Sequence, residues 1–384
     1  MICKEKIMEK KRLHYIDGYK GFLCFMIMLG HFWRIYRSTS GASPLAHPAL
    51  DSILGTTTDT FTLAATFWLY AFLVISGYLL SFGKTKTFPE LLTKTVSRFL
   101  RLFIPILGAC LIIFGIYKAV GFYNNATADY FKNKWFQSFY RKDFVFADVF
   151  TESFNAMFAA SCDFNPPFWV IRDMLLSSVL IYICQLTDTI FTKKTHVLPL
   201  LFTLCAILLY NPVLTACLVG FLIGYYRESF SRLAENFWSF LAISLVIYSV
   251  FLWMKAEKVF PTSFGRTATF TLLHCFLLLL LNRFTALQRF FSTKFFLLSG
   301  KISFGVYSFH WPLICSVGSL LLLLGIRQQW PPVLAFFTPL LVSIPCTVVL
   351  SIVYHFTVEK LSDFIVGWVK KAGSYLNQKV TPTI

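Results

Sequence analysis

Charged residues are scarce in this 384-residue chain. Asp, Glu, Lys and Arg make up 14% of it, against about a quarter of a soluble domain. That shortage argues against an ordinary soluble enzyme, and the composition equally excludes disordered, coiled-coil and collagen-like chains. Acidic residues are the rarer sign, 18 against 35 Lys and Arg, for a formal net charge of +17. Familiar motifs are missing too. There is no G-x-S-x-G elbow, Walker loop, H-E-x-x-H or G-x-G-x-x-G, which leaves ATP-driven transport and hydrolases of those kinds without support. The ten cysteines follow no pairing pattern and no C-x-x-C or other metal spacing, so neither a disulfide framework nor a metal is expected. Eight of them (Cys24, Cys110, Cys184, Cys205, Cys217, Cys275, Cys315 and Cys346) lie in apolar runs, where Cys acts as a small hydrophobe. Cys3 and Cys162 fall in different polar segments. No internal repeat and no low-complexity linker divides the chain.

Apolar residues are abundant: 57% of the chain, with a mean hydropathy of +0.65. They come in runs of about 15–22, the length a helix needs to cross a ~30 Å hydrocarbon layer. The pattern predicts an all-α, polytopic membrane helix bundle of about ten spans. These fall near 16–36, 62–82, 99–120, 168–187, 197–211, 213–227, 237–254, 267–283, 304–325 and 333–357. With both termini cytoplasmic, Lys and Arg divide 22 against 9 between inner and outer segments. This asymmetry supports ten spans with both ends inside, and it explains the net charge without nucleic acid.

Residues 1–384 read as one integral domain. Its appendages are a basic cytoplasmic N-terminus (1–14), an external loop (about 121–167) and a cytoplasmic C-terminal tail (about 359–384). The basic start is not read as a signal peptide, because the apolar stretch behind it holds Asp17, Lys20, His31 and Arg34. The loop is rich in aromatics, among them Trp135, Phe136, Phe139 and Tyr140. They suit an amphipathic segment at the membrane interface or a sugar-stacking platform over a site, and both could hold.

Ionisable groups inside a bilayer are costly, so each is a candidate for function. In the first span, Lys20 and His31 are 11 positions apart and fall within ~20° of one face. Asp17, Cys24 and Arg34 lie near the same stripe. A neutral imidazole is the usual general base near neutral pH, and no other side chain on this face suits that task. His31 is therefore the candidate catalytic base, set against the simpler reading of an interhelical hydrogen bond. Arg98 and Arg101, at i and i+3, could hold phosphates with their two guanidinium forks or simply anchor the cytoplasmic side. Trp169, Arg172 and Asp173 enter the fourth span from outside. The adjacent Arg-Asp pair could fix the helix end or orient a substrate. His274, His310 and His355 have no polar stripe around them and read as structural. A proton- or ion-coupled transporter using the Lys20/His31 line is the rival class, although no inverted repeat or paired broken helix supports it.

Five stretches, in order over about 15–360, resemble the membrane acyltransferase-3 family. Tyr15-Ile16-Asp17-Gly18-Tyr19-Lys20-Gly21, ending in Gly30-His31, is similar to its D-G-x-R-G segment followed by a His. Phe72-Leu73-Val74-Ile75-Ser76-Gly77-Tyr78-Leu79-Leu80 is similar to its F-F-x-x-S-G-F-L pattern. Arg98-x-x-Arg101 with Pro105 resembles R-x-x-R-x-x-P, and Trp169 to Asp173 resembles W-F-L-R-D. Gly300-Lys301-Ile302-Ser303 through Tyr307 and His310 to Pro312 resembles G-x-I-S-Y-x-x-Y-x-x-H-x-P. The resemblance implies transfer of an acyl group, acetyl above all, from cytoplasmic acetyl-CoA or another acyl-CoA to a hydroxyl. The acceptor would be a surface polysaccharide, lipopolysaccharide or lipid-linked glycan, without a metal. Arg98 and Arg101 would hold the coenzyme A phosphates, and His31 would be general base or acyl carrier. Asp17 and Lys20 would set its hydrogen bonding or the donor's position; Trp169, Arg172 and Asp173 would contact the acceptor. Membrane lipids and glycan-synthesis machinery are the expected partners. Two departures stand out. Lys20 replaces the usual Arg and loses its bidentate fork, and no extracytoplasmic hydrolase-like domain follows the last span, so transfer would be direct or use a partner.

Overall fold

A computed structural model describes residues 13–35, 65–190, 197–227, 229 and 263–380, and these contain helices and no strand. In chain order the helices are α1 His14–Ile35, α2 Ala65–Leu80, α3 Phe88–Ala119, α4 Asn124–Phe131, α5 Lys134–Gln137 and α6 Ala147–Phe158. A 3-10 turn, Pro166–Val170, leads into α7 Ile171–Ile190, followed by α8 Val197–Leu208 and α9 Pro212–Tyr225. Next come α10 Ser263–Arg283, α11 Thr285–Phe291, α12 Lys294–Lys301, α13 Ser303–Leu313, α14 Ser319–Arg327, α15 Pro332–Tyr354 and α16 Lys360–Val380. Among the described residues four helical stretches are long and apolar enough to cross a membrane: Phe88–Ala119, Pro166–Ile190, Ser303–Arg327 and Pro332–Asn377. A fifth arises if Thr267–Arg283 and Thr285–Phe291, bent by 95°, form one span. The expected span at 237–254 lies outside the described residues.

Three boundaries differ from expectation, each for a local reason. α3 starts at Phe88, not near residue 99, because Thr87 caps it. Thr87 Oγ1 accepts from Glu90 N at 3.3 Å, and the Glu90 carboxylate accepts from Lys86 N at 2.8 Å. Thr-x-x-Glu ahead of an apolar run is a helix-start signal. Arg98 and Arg101 therefore lie well inside α3 rather than opening it. The presumed tail continues α15 through a π-helical turn, His355–Glu359, into α16.

The third change is the loop at 121–167, which folds back along the bundle. Phe146 packs on Phe114, Phe154 on Phe103 and Phe158 on Phe99, so α6 runs antiparallel beside α3 over roughly 20 Å. The chain then returns, with Cys162 meeting Cys110 and Phe164 meeting Phe114. Lys142 closes this hairpin by pairing with Glu152 at 3.1 Å and Asp163 at 2.8 Å. Its hydrogen bond to Asp163, reinforced by Glu152, pushes its pKa up. The loop's aromatics divide by position. Phe131, Phe136 and Phe144 are buried, Phe146, Phe150, Phe154 and Phe158 form an exposed stripe on α6, and Trp135 and Phe139 face the cavity described below.

α2 and α9 cross at close quarters. A Cβ on Gly77 would collide with the Cys217 carbonyl, and one on Gly220 with the Val74 carbonyl. Small residues allow such backbone approach in membrane bundles. Gly220→Ala is expected to cost about 2–3 kcal/mol by forcing the helices apart. Thermal unfolding in detergent should show a lower midpoint, and an unchanged midpoint would mean that the crossing is loose.

Candidate active site

His31 sits one turn before the end of α1, while Tyr307, His310 and Trp311 share one face of α13 through their i, i+3, i+4 spacing. The two histidines meet. His31 Nδ1 is 2.8 Å from His310 Nε2, the rings are 8° from coplanar, and their centroids are 5.1 Å apart. The nitrogens are closer than the ring centres, so the rings meet edge to edge, as a directed hydrogen bond requires.

The proton can be placed by its partners. His310 Nδ1 lies 3.0 Å from the Val306 carbonyl, which can only accept, so that nitrogen carries hydrogen. Neutral His310 then offers an Nε2 lone pair, His31 Nδ1–H donates into it, and His31 Nε2 keeps its own lone pair. Two protonated rings at this spacing in a low-dielectric interior would repel strongly, so at most one is charged. His310 is fully buried, whereas His31 lines a cavity of about 320 Å³.

Four segments besides α1 build that cavity. Ala65, Thr66 and Leu69 come from α2, Trp135 and Phe139 from the folded loop, Pro166, Pro167 and Trp169 from the 3-10 turn, and Tyr307 and Trp311 from α13. Asn133 fastens the loop to α1. Its Nδ2 donates to the Arg34 and Ile35 carbonyls at 3.0 and 2.9 Å, and its Oδ1 accepts from Phe136 N. The two bonds to these carbonyls hold Trp135 over the cavity. The Arg34 guanidinium stacks 3.9 Å from the Trp135 ring centroid. Trp135, Phe136 and Phe139 close edge-on around Trp311. Tyr307 OH donates to the Pro167 carbonyl, fixing the 3-10 turn against α13. Asn133→Ala is expected to cost about 1–2 kcal/mol and loosen this roof. Thermal unfolding and quenching of tryptophan fluorescence by iodide would both register it.

A histidine base at an aromatic-lined cavity can take a proton from a hydroxyl and so suits group transfer to an alcohol. The model of the acyltransferase-3 family, an acyltransferase domain, matches residues 13–352, which take in His31, His310 and every wall of the cavity. The chain belongs to the acyltransferase-3 family. No curated protein and no solved structure matches it.

The other expected site residues of this acyltransferase divide by position. Trp169 joins His31 at the cavity. Asp17 and Lys20 pair with each other at 3.0 Å, three to four turns down α1, and line no part of it. Arg172 pairs with the buried Asp173 at 3.0 Å, so that pair fixes the start of α7. Arg98 Nε donates to Ser178 on α7 at 3.0 Å and forms no ion pair with a carboxylate among the described residues. Arg101 turns the other way and meets Asp363 of α16 at 3.3 Å. His274 bonds the Phe67 carbonyl at 2.8 Å and His355 bonds Glu359 at 2.6 Å.

His310 makes a contact that its own helix did not signal. Read as structural because its own helix shows no polar stripe, it is the direct partner of His31. The signal was present in the Tyr307-x-x-His310-x-Pro312 stretch, where one face presents a phenol and an imidazole. Asn133 carried no motif at all.

Proposed function

We propose that this protein transfers an acyl group, acetyl above all, from acyl-CoA to a hydroxyl of a surface polysaccharide, lipopolysaccharide or lipid-linked glycan. The observation that carries this reading is His31 at the cavity wall, with its Nδ1 occupied by His310 and its Nε2 lone pair left over. Family membership supports acyl transfer at the membrane. In the reaction His31 Nε2 takes the acceptor hydroxyl proton as the oxygen bonds to the thioester carbonyl. The tetrahedral intermediate collapses with cleavage of the carbon–sulfur bond, and the departing thiolate recovers the proton from His31. The thioester is already activated, so positioning and one base suffice.

Trp135, Phe139 and Trp169 are suited to stack on a sugar ring, with Arg34 at the rim for its polar groups. Arg98 and Arg101 are the donor's phosphate contacts. Arg98 pairs with no carboxylate among the described residues, and such an intramembrane guanidinium favours an anionic ligand. The Asp17–Lys20 pair supports the donor path in α1 rather than touching the base. The charge asymmetry supports ten spans with both termini on the cytoplasmic side of the inner membrane, beside the donor pool. Glycan-synthesis enzymes are the matching partners.

The test is detergent-purified protein with acetyl-CoA, following free thiol with and without a cell-envelope glycan extract. Release that depends on the glycan is expected. Absence of release with acetyl- and other short acyl-CoA donors, alongside solute flux in proteoliposomes, would overturn the assignment.

A further inference from the structure

α16 lies wholly beyond the matched domain, yet it packs along the N-terminal half of α3, the helix that carries Arg98 and Arg101. The two helices run antiparallel in a fixed register. Tyr354, just ahead of α16, donates to the Pro105 carbonyl at 2.5 Å, and Asp363 meets Arg101 at 3.3 Å. Gly373 approaches Thr93 so closely that a Cβ would collide with its side chain, and Asn377 accepts from Thr87 at 2.6 Å. Lys370 falls between Asp363 and Gly373. That register sets it about one turn from Arg98 toward Thr93, and it interacts electrostatically with both Arg101 and Asp363. Two cations, Arg101 and Lys370, thus lie around Asp363 on the side of α3 that faces α16, while Arg98 turns to Ser178 on α7. Like charges held together beside apolar helices are unfavourable until an anion joins them.

We propose that α16 forms one wall of the donor site, where Lys370 and Arg101 share a phosphate group and Asp363 occupies Arg101 until that phosphate displaces it. The inference rests on reading Arg98 and Arg101 as donor contacts. The Arg101–Asp363 pair is half exposed on both sides, 49% and 57%, and such pairs are weak enough to exchange for a stronger anion. Asp363 then acts as a built-in competitor. Removing its charge tightens donor binding, whereas removing the Lys370 charge weakens it. Phosphate oxygens reach a membrane protein from the donor or from lipid headgroups, and this proposal assigns the site to the donor.

The experiment uses the full chain in neutral detergent at low salt, titrated with coenzyme A by calorimetry. Wild type is compared with K370Q, D363N, R98A and K371Q, the last an exposed lysine on the same helix. The residues changed on α16 are solvent-exposed, and elution as a single monodisperse peak verifies each variant. About threefold to tenfold weaker binding by K370Q is expected, with tighter binding by D363N of similar size and K371Q unchanged. If R98A loses coenzyme A while K370Q and D363N bind like wild type, the inference fails and the donor reading stands. Equal weakening in K371Q overturns it as well, since bulk charge would then explain the effect. If wild type does not bind, or R98A binds unchanged, both fall. A parallel titration with phosphatidylglycerol separates the sources. Changes confined to that lipid would make the site a headgroup site and overturn the assignment.

Discussion

Replacing His31 with alanine is expected to lower acyl transfer by about a hundredfold to ten-thousandfold while the protein still folds, the range a positioned general base contributes. The side chain is at the cavity wall rather than in the buried core, and among the described residues its hydrogen bond to His310 leaves the other ring nitrogen for chemistry. The measurement is glycan-dependent thiol release by wild type and His31→Ala at saturating acetyl-CoA. Loss of kcat with an unchanged KM for the donor would place His31 in the chemical step. Retained turnover would remove it from the mechanism and return it to the role of an interhelical hydrogen bond.

His310 should produce the second-largest effect, through His31 rather than through substrate. Without the Nε2 acceptor, His31 Nδ1–H is left without its partner, at a cost of about 1–3 kcal/mol. The imidazole can then present either tautomer to the cavity. His310→Ala is expected to reduce kcat by about tenfold to a hundredfold, the size seen when an orienting partner of a working histidine is lost. His310→Gln, whose side-chain carbonyl can accept from Nδ1–H, should recover part of that loss. The two variants also separate orientation from simple packing. A structural role would lower the unfolding midpoint of both and leave the pH dependence of kcat unmoved. An orienting role shifts that pH profile in His310→Ala and restores it in His310→Gln. Equal kcat in wild type and both variants would end the idea of a working pair.

Legibility followed the range of the interactions. The helical, membrane-embedded class was readable from runs of apolar residues, because satisfying every backbone polar group in lipid leaves few options to such a sequence. The polar stripe of α1 was readable because 3.6-residue periodicity is a local property, and it singled out His31, which lines the cavity. The same logic gave no sign of the contact with His31 that is made by His310. Its helix carries no stripe, and its importance comes from a partner 279 positions away. Arg98 and Arg101 share a helix face by spacing, yet they turn to different neighbours, Ser178 on α7 and Asp363 on α16. The start of α3 was legible after all in Thr87-x-x-Glu90, a capping signal overshadowed by the hydropathy pattern.

The sequence alone determined what solvent this chain lives in, that it is built of helices, and that the first described helix carries one polar line. Those are consequences of composition and of short-range periodicity, which no partner helix can change. Only the tertiary structure decided which nitrogen of His31 is free, that the 121–167 segment folds back against α3 to roof the cavity, and that α16 lies over Arg101. Each depends on a contact between residues far apart in the chain, where side-chain direction and register, rather than residue type, choose the partner.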